Sequence, residues 1–193
     1  MKRLGFYIKE EKISQLTELL NKKIWFARCP NLSIDLTEKI YTSSCFQMPF
    51  YWKNNLGVQE SKIIKFISEW YEDEETLLDY YNIKIEIFDF DNIIENFESL
   101  LNRDKQIGLN SGISFSDFNI NQIQILSTEE IVDDIAETPI ELKYDEGILF
   151  IESEERKILF SSDNKCTGLI EFINDLSIIE NRIKKLNVRK NIG

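Results

Sequence analysis

Asp89 and Asp91 stand one residue apart in Phe88-Asp89-Phe90-Asp91, between an alternating apolar run and an amphipathic one. Two carboxylates at a strand end are hard oxygen ligands that can hold Mg²⁺ or Mn²⁺ beside a phosphate, as metal-dependent hydrolases and transferases require. The run before them, Ile83-Lys84-Ile85-Glu86-Ile87, alternates with charge, whereas a buried parallel strand is continuously apolar, and no glycine-rich phosphate loop accompanies the pair. Asp91 therefore reads first as the N-cap of a helix to about Leu101, and a metal-dependent hydrolase or transferase using Asp89 and Asp91 is an alternative reading. The chain contains no histidine, which removes Ser-His-Asp and Cys-His nucleophile activation, His-ligated zinc and the simplest general base. The expectation is a non-enzyme with no catalytic residue, metal or cofactor. Cys29, Cys45 and Cys166 are widely spaced, without a C-x-x-C pair, and read as reduced thiols filling a core.

Carboxylates and aromatics are the other residues able to do chemistry, and here that chemistry is recognition. Trp70, Tyr71, Glu72, Asp73, Glu74, Asp79 and Tyr80 fall within one short stretch. Trp and Tyr dominate interface hot spots, and the carboxylates around them suit Lys or Arg on a partner. A second cluster holds Glu129, Glu130, Asp133, Asp134 and Glu137. Ser127-Thr128-Glu129-Glu130 has the spacing of a capping box, which predicts a short helix ending before Pro139. On that helix Glu130, Asp133, Asp134 and Glu137 share one side, where like charges cost roughly 0.2–0.5 kcal/mol per pair and a cationic partner would relieve them.

The whole charge pattern supports the same expectation. From Glu69 to Glu155 there are 24 acidic residues and four basic ones, a net of −20, whereas the two ends are net positive and the chain totals −11. Such a middle repels polyanions and attracts a basic surface. The expected function is an acidic protein-binding module, most concretely a bacterial immunity protein or inhibitor that neutralises a basic partner such as a toxin or nuclease. An adaptor or subunit of a larger assembly is a further alternative. Neither nucleic acid nor membrane is an expected partner; the basic stretch Arg182–Lys190 is too small a counterweight to the net charge. No apolar run approaches the roughly 20 residues of a membrane helix, so a cytoplasmic location is expected.

The elements that must position these residues follow from hydrophobic periodicity. Leu4, Phe6 and Ile8 predict a first strand, and Ile13, Leu16, Leu19 and Leu20 a following helix to Lys23. Ile24 to Arg28, ended at Cys29-Pro30, and Leu32, Ile34 and Leu36 predict two strands, with an irregular aromatic-rich stretch from Lys39 to Leu56. In that stretch Phe46-Gln47-Met48-Pro49-Phe50-Tyr51-Trp52 is expected to fold into the core. Helices are predicted from Val58 to about Tyr71 and from Glu74 to Tyr81. Strands are expected at Ile83–Phe88, Ile113–Phe115 and Ile120–Leu126. A meander of three strands (Ile140–Tyr144, Ile148–Glu152, Lys157–Ser161) is joined by turns at Asp145-Glu146-Gly147 and Ser153-Glu154-Glu155. Leu169, Phe172, Ile173, Leu176, Ile179, Ile183 and Leu186 predict one C-terminal helix. The expected fold is α+β: one globular domain spanning residues 1–193, mainly an antiparallel sheet with several amphipathic helices packed on it.

Overall fold

A computed structural model describes residues 2–74, 78–89, 111–133, 139–162 and 168–193. Of the described residues, 68% lie in strands. The α+β expectation is therefore corrected: two sheets share one core and two short helices accompany them.

One sheet is a five-stranded antiparallel layer. It contains β2 (Lys23–Cys29), β5 (Cys45–Lys53), β6 (Gln59–Asp73), β7 (Leu78–Asp89) and β8 (Ser111–Asn119), in the order β7-β6-β5-β2-β8. The other has eight strands. Its path is β13 (Asn187–Ile192), β9 (Gln122–Asp133), β10 (Pro139–Ser153), β11 (Arg156–Ser162), β12 (Ile170–Ile173), β4 (Ile40–Ser43) and β3 (Ser33–Asp35). β1 (Lys2–Phe6) joins this sheet off the path, parallel to the first half of β10, and all the other pairings are antiparallel. Helix α1 (Glu10–Leu16), extended by a 3₁₀ turn over Thr17–Leu19, follows β1.

The inner faces of the two sheets meet in an aromatic core. Phe46 and Phe66 from the first sheet pack on Phe150, Phe160 and Phe172 from the second, with Phe66 and Phe160 ring centroids 4.5 Å apart. Ile13, Leu16 and Leu19 add the buried stripe of α1 to this cluster. On the opposite face of the second sheet, Leu126, Leu149, Leu159 and Ile173 form a smaller cluster with Ile179 of α2 (Leu176–Ile183).

The corrections to the predicted elements share a cause. The stretch predicted as a helix from Val58 to Tyr71 lies almost wholly in β6, and the segment predicted as a second helix enters β7. Ile63, Ile64, Ile67 and Trp70 satisfy helical spacing, but that face omits Phe66, which is fully buried with Ile64 on one side of the strand. β-branched and aromatic residues favour the extended state once a neighbouring strand supplies the ladder. The stretch 39–56, expected to be irregular, forms β4 and β5, with Phe46, Met48 and Phe50 buried at alternate positions, as the core reading of that segment expects. Pro49 is tolerated inside β5 because the ladder to β2 is interrupted there, skipping from Ile24/Phe50 to Arg28/Gln47.

In the second sheet, Ser127–Glu130 continues β9 and does not open a helix, each residue being held by its partner on β10. The first two strands of the predicted meander are one strand, β10. Asp145-Glu146-Gly147 is a bulge within it: Asp145 pairs with Ser127 and Gly147 with Leu126. Gly147 is needed for close approach, since a Cβ there would lie 2.9 Å from the Phe160 carbonyl oxygen. The predicted C-terminal helix is divided into β12 and α2, and β13 begins just after its last residue, Leu186. Asp175 divides the apolar stripe by capping α2, accepting from the backbone N–H of Ser177 (3.1 Å) and of Ile178 (3.4 Å). The predicted helix from Asp91 to Leu101 lies outside the described residues.

No helix among the described residues is long and apolar enough to cross a membrane.

Candidate partner-binding site

Strand alternation divides the first predicted cluster. β6 and β7 pair through Trp70/Tyr81, Tyr71/Tyr80, Glu72/Asp79 and Asp73/Leu78, so the cluster occupies the far end of one hairpin. Successive side chains of a strand point to opposite faces. Tyr71 and Tyr80 share one face, stacked with centroids 5.3 Å apart, and Asp73 lies on that face beside Lys2 at 3.7 Å. Trp70 and Glu72 take the other face. Trp70 is 51% exposed and Tyr71 39%, so neither is a core residue. Glu72 and Glu74 are exposed and have no ion pair among the described residues. Asp79 is placed by its backbone in β7.

The Tyr71 hydroxyl donates to the Glu69 carboxylate, which also accepts from Lys84 at 3.2 Å. Together these donors hold the Glu69 carboxyl below its ordinary range. Partial burial, then the Glu69 charge, pushes the Tyr71 phenol up to about 12. Tyr71 is therefore a neutral, oriented ring throughout the physiological range.

The second predicted cluster does not form the acidic helix face. Glu129 and Glu130 are consecutive on β9 and point to opposite faces. Glu129 accepts from Lys143 at 2.9 Å and Glu130 from the Tyr144 hydroxyl at 3.3 Å. Asp133 ends β9, its backbone paired with Pro139. Asp134 and Glu137 lie outside the described residues, as does Glu75 of the first cluster.

Among the described residues, part of the sorted charge is matched inside the molecule. Lys2 meets Asp73, Arg3 meets Glu141 at 2.6 Å, Lys23 meets Asp117, Lys62 meets Asp89, Lys65 meets Glu86 and Arg156 meets Glu152. Each pair joins a basic end of the chain to its acidic middle. At the surface such pairs are individually weak, but they offset part of the field that a one-dimensional charge count implies.

The most buried member of this set escaped the sequence reading. Asp145 is 1% exposed and is held from two sides, by the β1–α1 connection and by β13. The Ile8 N–H donates to its Oδ2 at 2.7 Å, and Arg189 donates to both its oxygens, from Nε at 2.6 Å and Nη2 at 2.7 Å. Arg189 occupies a bulge of β13, between Val188 and Lys190 in the ladder to β9, facing the bulge of β10. It also reaches Glu10, which pairs with Lys190. Burial raises the Asp145 carboxyl above its ordinary range despite these donors. The available signal was a strand-breaking Asp-Glu-Gly between apolar runs, which fits a turn as well as a bulge.

Asp89 of the alternative metal reading is exposed and lies 4.0 Å from Lys62, while Asp91 is outside the described residues. No group of three or more metal-ligating side chains converges among the described residues. Cys29 and Cys45 are buried, and burial pushes the Cys45 thiol up to about 11 and the Cys29 thiol upward too. Both are expected to resist iodoacetamide in the native protein and to react on unfolding, as mass spectrometry would show. Cys166 is outside the described residues.

Compared with protein-family models, curated proteins and solved structures, the chain shows no significant match.

Proposed function

We propose that this chain is an acidic protein-binding module that docks on a basic partner through the far end of the β6–β7 hairpin. Its most concrete form is an immunity protein or inhibitor that masks the positive cleft of a toxin or nuclease. The observation that carries the reading is the pairing of two exposed aromatics, Trp70 and Tyr71, with two carboxylates, Glu72 and Glu74, that no cation of the described chain neutralises. Aromatic anchors supply buried area, while unpaired carboxylates steer a cationic surface and contribute once it is desolvated. Glu129 and Glu130, each already bonded to a neighbour on β10, take a secondary place.

The test is a binding experiment with immobilised native protein, the Trp70→Ala variant, the Glu72→Lys/Glu74→Lys variant, and Glu154→Lys/Glu155→Lys as a charge-matched control at another exposed turn. The expected result is a basic protein retained by the native chain and the control. Trp70→Ala should weaken it about thirtyfold, the cost of a hot-spot residue at roughly 2 kcal/mol. The purified partner should lose its activity when native protein is added. Equal retention by the hairpin variants and the control would rule out this docking site.

A further inference from the structure

A cavity of about 270 Å³ opens beside β7, the edge strand of the five-stranded sheet, where the chain passes from β1 into α1. One wall is aromatic. Phe6, Tyr80 and Tyr71 form a column with successive centroids 3.4 and 5.3 Å apart and interplanar angles of 21° and 15°. Its last ring, Tyr71, is partly exposed and is held by its hydroxyl bond to Glu69.

The lining carries three lysines, Lys9, Lys12 and Lys84, against two glutamates, Glu11 and Glu69. Lys84 is committed to Glu69 at 3.2 Å and to Glu86 at 3.5 Å. Lys9 and Lys12 have no carboxylate within ion-pair distance among the described residues; Lys12 has only a long contact with Gln15 at 3.5 Å. Lys84 is taken up by Glu69 and Glu86, and the two remaining lysines at the rim, Lys9 and Lys12, outnumber the remaining lining carboxylate, Glu11.

We infer that this cavity binds a small planar anion, an aromatic ring bearing a single carboxylate or phosphate. The ring packs on the open face of Tyr71, because Tyr80 is already stacked between Phe6 and Tyr71, and the anionic group lies between Lys9 and Lys12. Ring stacking on an oriented tyrosine favours a planar group, and the small volume, near the low end of ligand cavities, admits one ring system. A guanidinium would suit the ring faces but meet a cationic rim. A polynucleotide would have to pass Glu72 and Glu74 on the same hairpin. The inference does not rest on the partner reading above.

Isothermal titration of the full chain tests it with 4-hydroxybenzoate and adenosine 5′-monophosphate as probes, which separate an aromatic carboxylate from a mononucleotide. Benzamide, which has the ring without the charge, and inorganic phosphate, which has the charge without the ring, are the comparisons. At least one ring-bearing anion is expected to saturate the protein, with both comparisons about tenfold weaker or more. Lys9→Ala/Lys12→Ala should lose about tenfold, as two exposed charge contacts of about 0.7 kcal/mol each would give, and Tyr71→Leu should lose the ring preference. Circular dichroism checks that both variants are folded. The inference is overturned if neither probe binds below about 10 mM, a limit near the weakest specific affinities. It also fails if benzamide or phosphate binds as tightly as the probes, or if the folded double lysine variant binds them unchanged.

Discussion

Arg189→Ala should lower the unfolding free energy by about 3–5 kcal/mol at neutral pH, because it leaves the Asp145 carboxylate charged and buried without its counter-ion. Urea denaturation measures the loss as a lower midpoint at unchanged slope. Replacing both partners by apolar residues of similar size, Asp145→Leu with Arg189→Met, should recover most of it, since the cost lies in the orphaned charge. The Ile8 N–H that loses its acceptor keeps the recovery incomplete.

The pH dependence has a definite sign. The folded-state pKa of Asp145 is raised, so this group's contribution to stability is fully present below the ordinary carboxylate range and is lost as pH rises through the folded value. Removing Arg189 takes away a donor that holds that value down. The penalty of Arg189→Ala should therefore shrink as pH falls and Asp145 takes up its proton. Glu69, Glu141 and Asp175 behave oppositely: their folded values are lowered, and the stability they contribute is lost as pH falls through those values. Denaturation of native and variant protein at several acidic pH values separates the two trends.

Phe160→Ala should cost about 3–5 kcal/mol, the range for truncating a fully buried aromatic. Phe160 is fully buried and touches Phe46, Phe66, Phe150 and Phe172, so it links the two sheets across the core. The cavity left behind would be lined by rigid strands that cannot close it. Leu56→Ala, at a residue 87% exposed on the β5–β6 turn, should stay within about 0.5 kcal/mol of the native chain. Equal effects at the two sites, measured by the same denaturation, would contradict the core described here.

Particular elements explain which parts of the fold were legible. Ile83, Ile85 and Ile87 alternate cleanly with charged residues, and the strand they predict lies within β7. The turn at Ser153-Glu154-Glu155 joins two short apolar runs and forms the β10–β11 connection. The failures came where apolar residues are too dense for one period to win. Ile63-Ile64-Lys65-Phe66-Ile67 fits helix and strand alike, and the extended state prevails because β5 and β7 bond it from both sides. The C-terminal stripe has helical spacing across two different elements, β12 and α2; the Asp175 cap was the local signal that divided it.

The candidate site shows the same division. Its hairpin end was legible as a mixture of aromatics and carboxylates, because composition alone gives residue type. The proposed acidic face on residues 130–137 was not, since its one-sidedness depended on a helical repeat that β9 does not have.

By itself the sequence determined the absence of histidine and its chemistry, the separation of acid from base along the chain, and a supply of Ile and Phe sufficient for a buried core. Only the tertiary structure decided which carboxylates are neutralised. Pairs such as Lys2 with Asp73, Arg189 with Asp145 and Lys190 with Glu10 join residues far apart in the chain. It also decided helix against strand where β-branched residues are dense. A helix completes its hydrogen bonds within its own segment, whereas a strand depends on a neighbour that only the folded chain brings alongside.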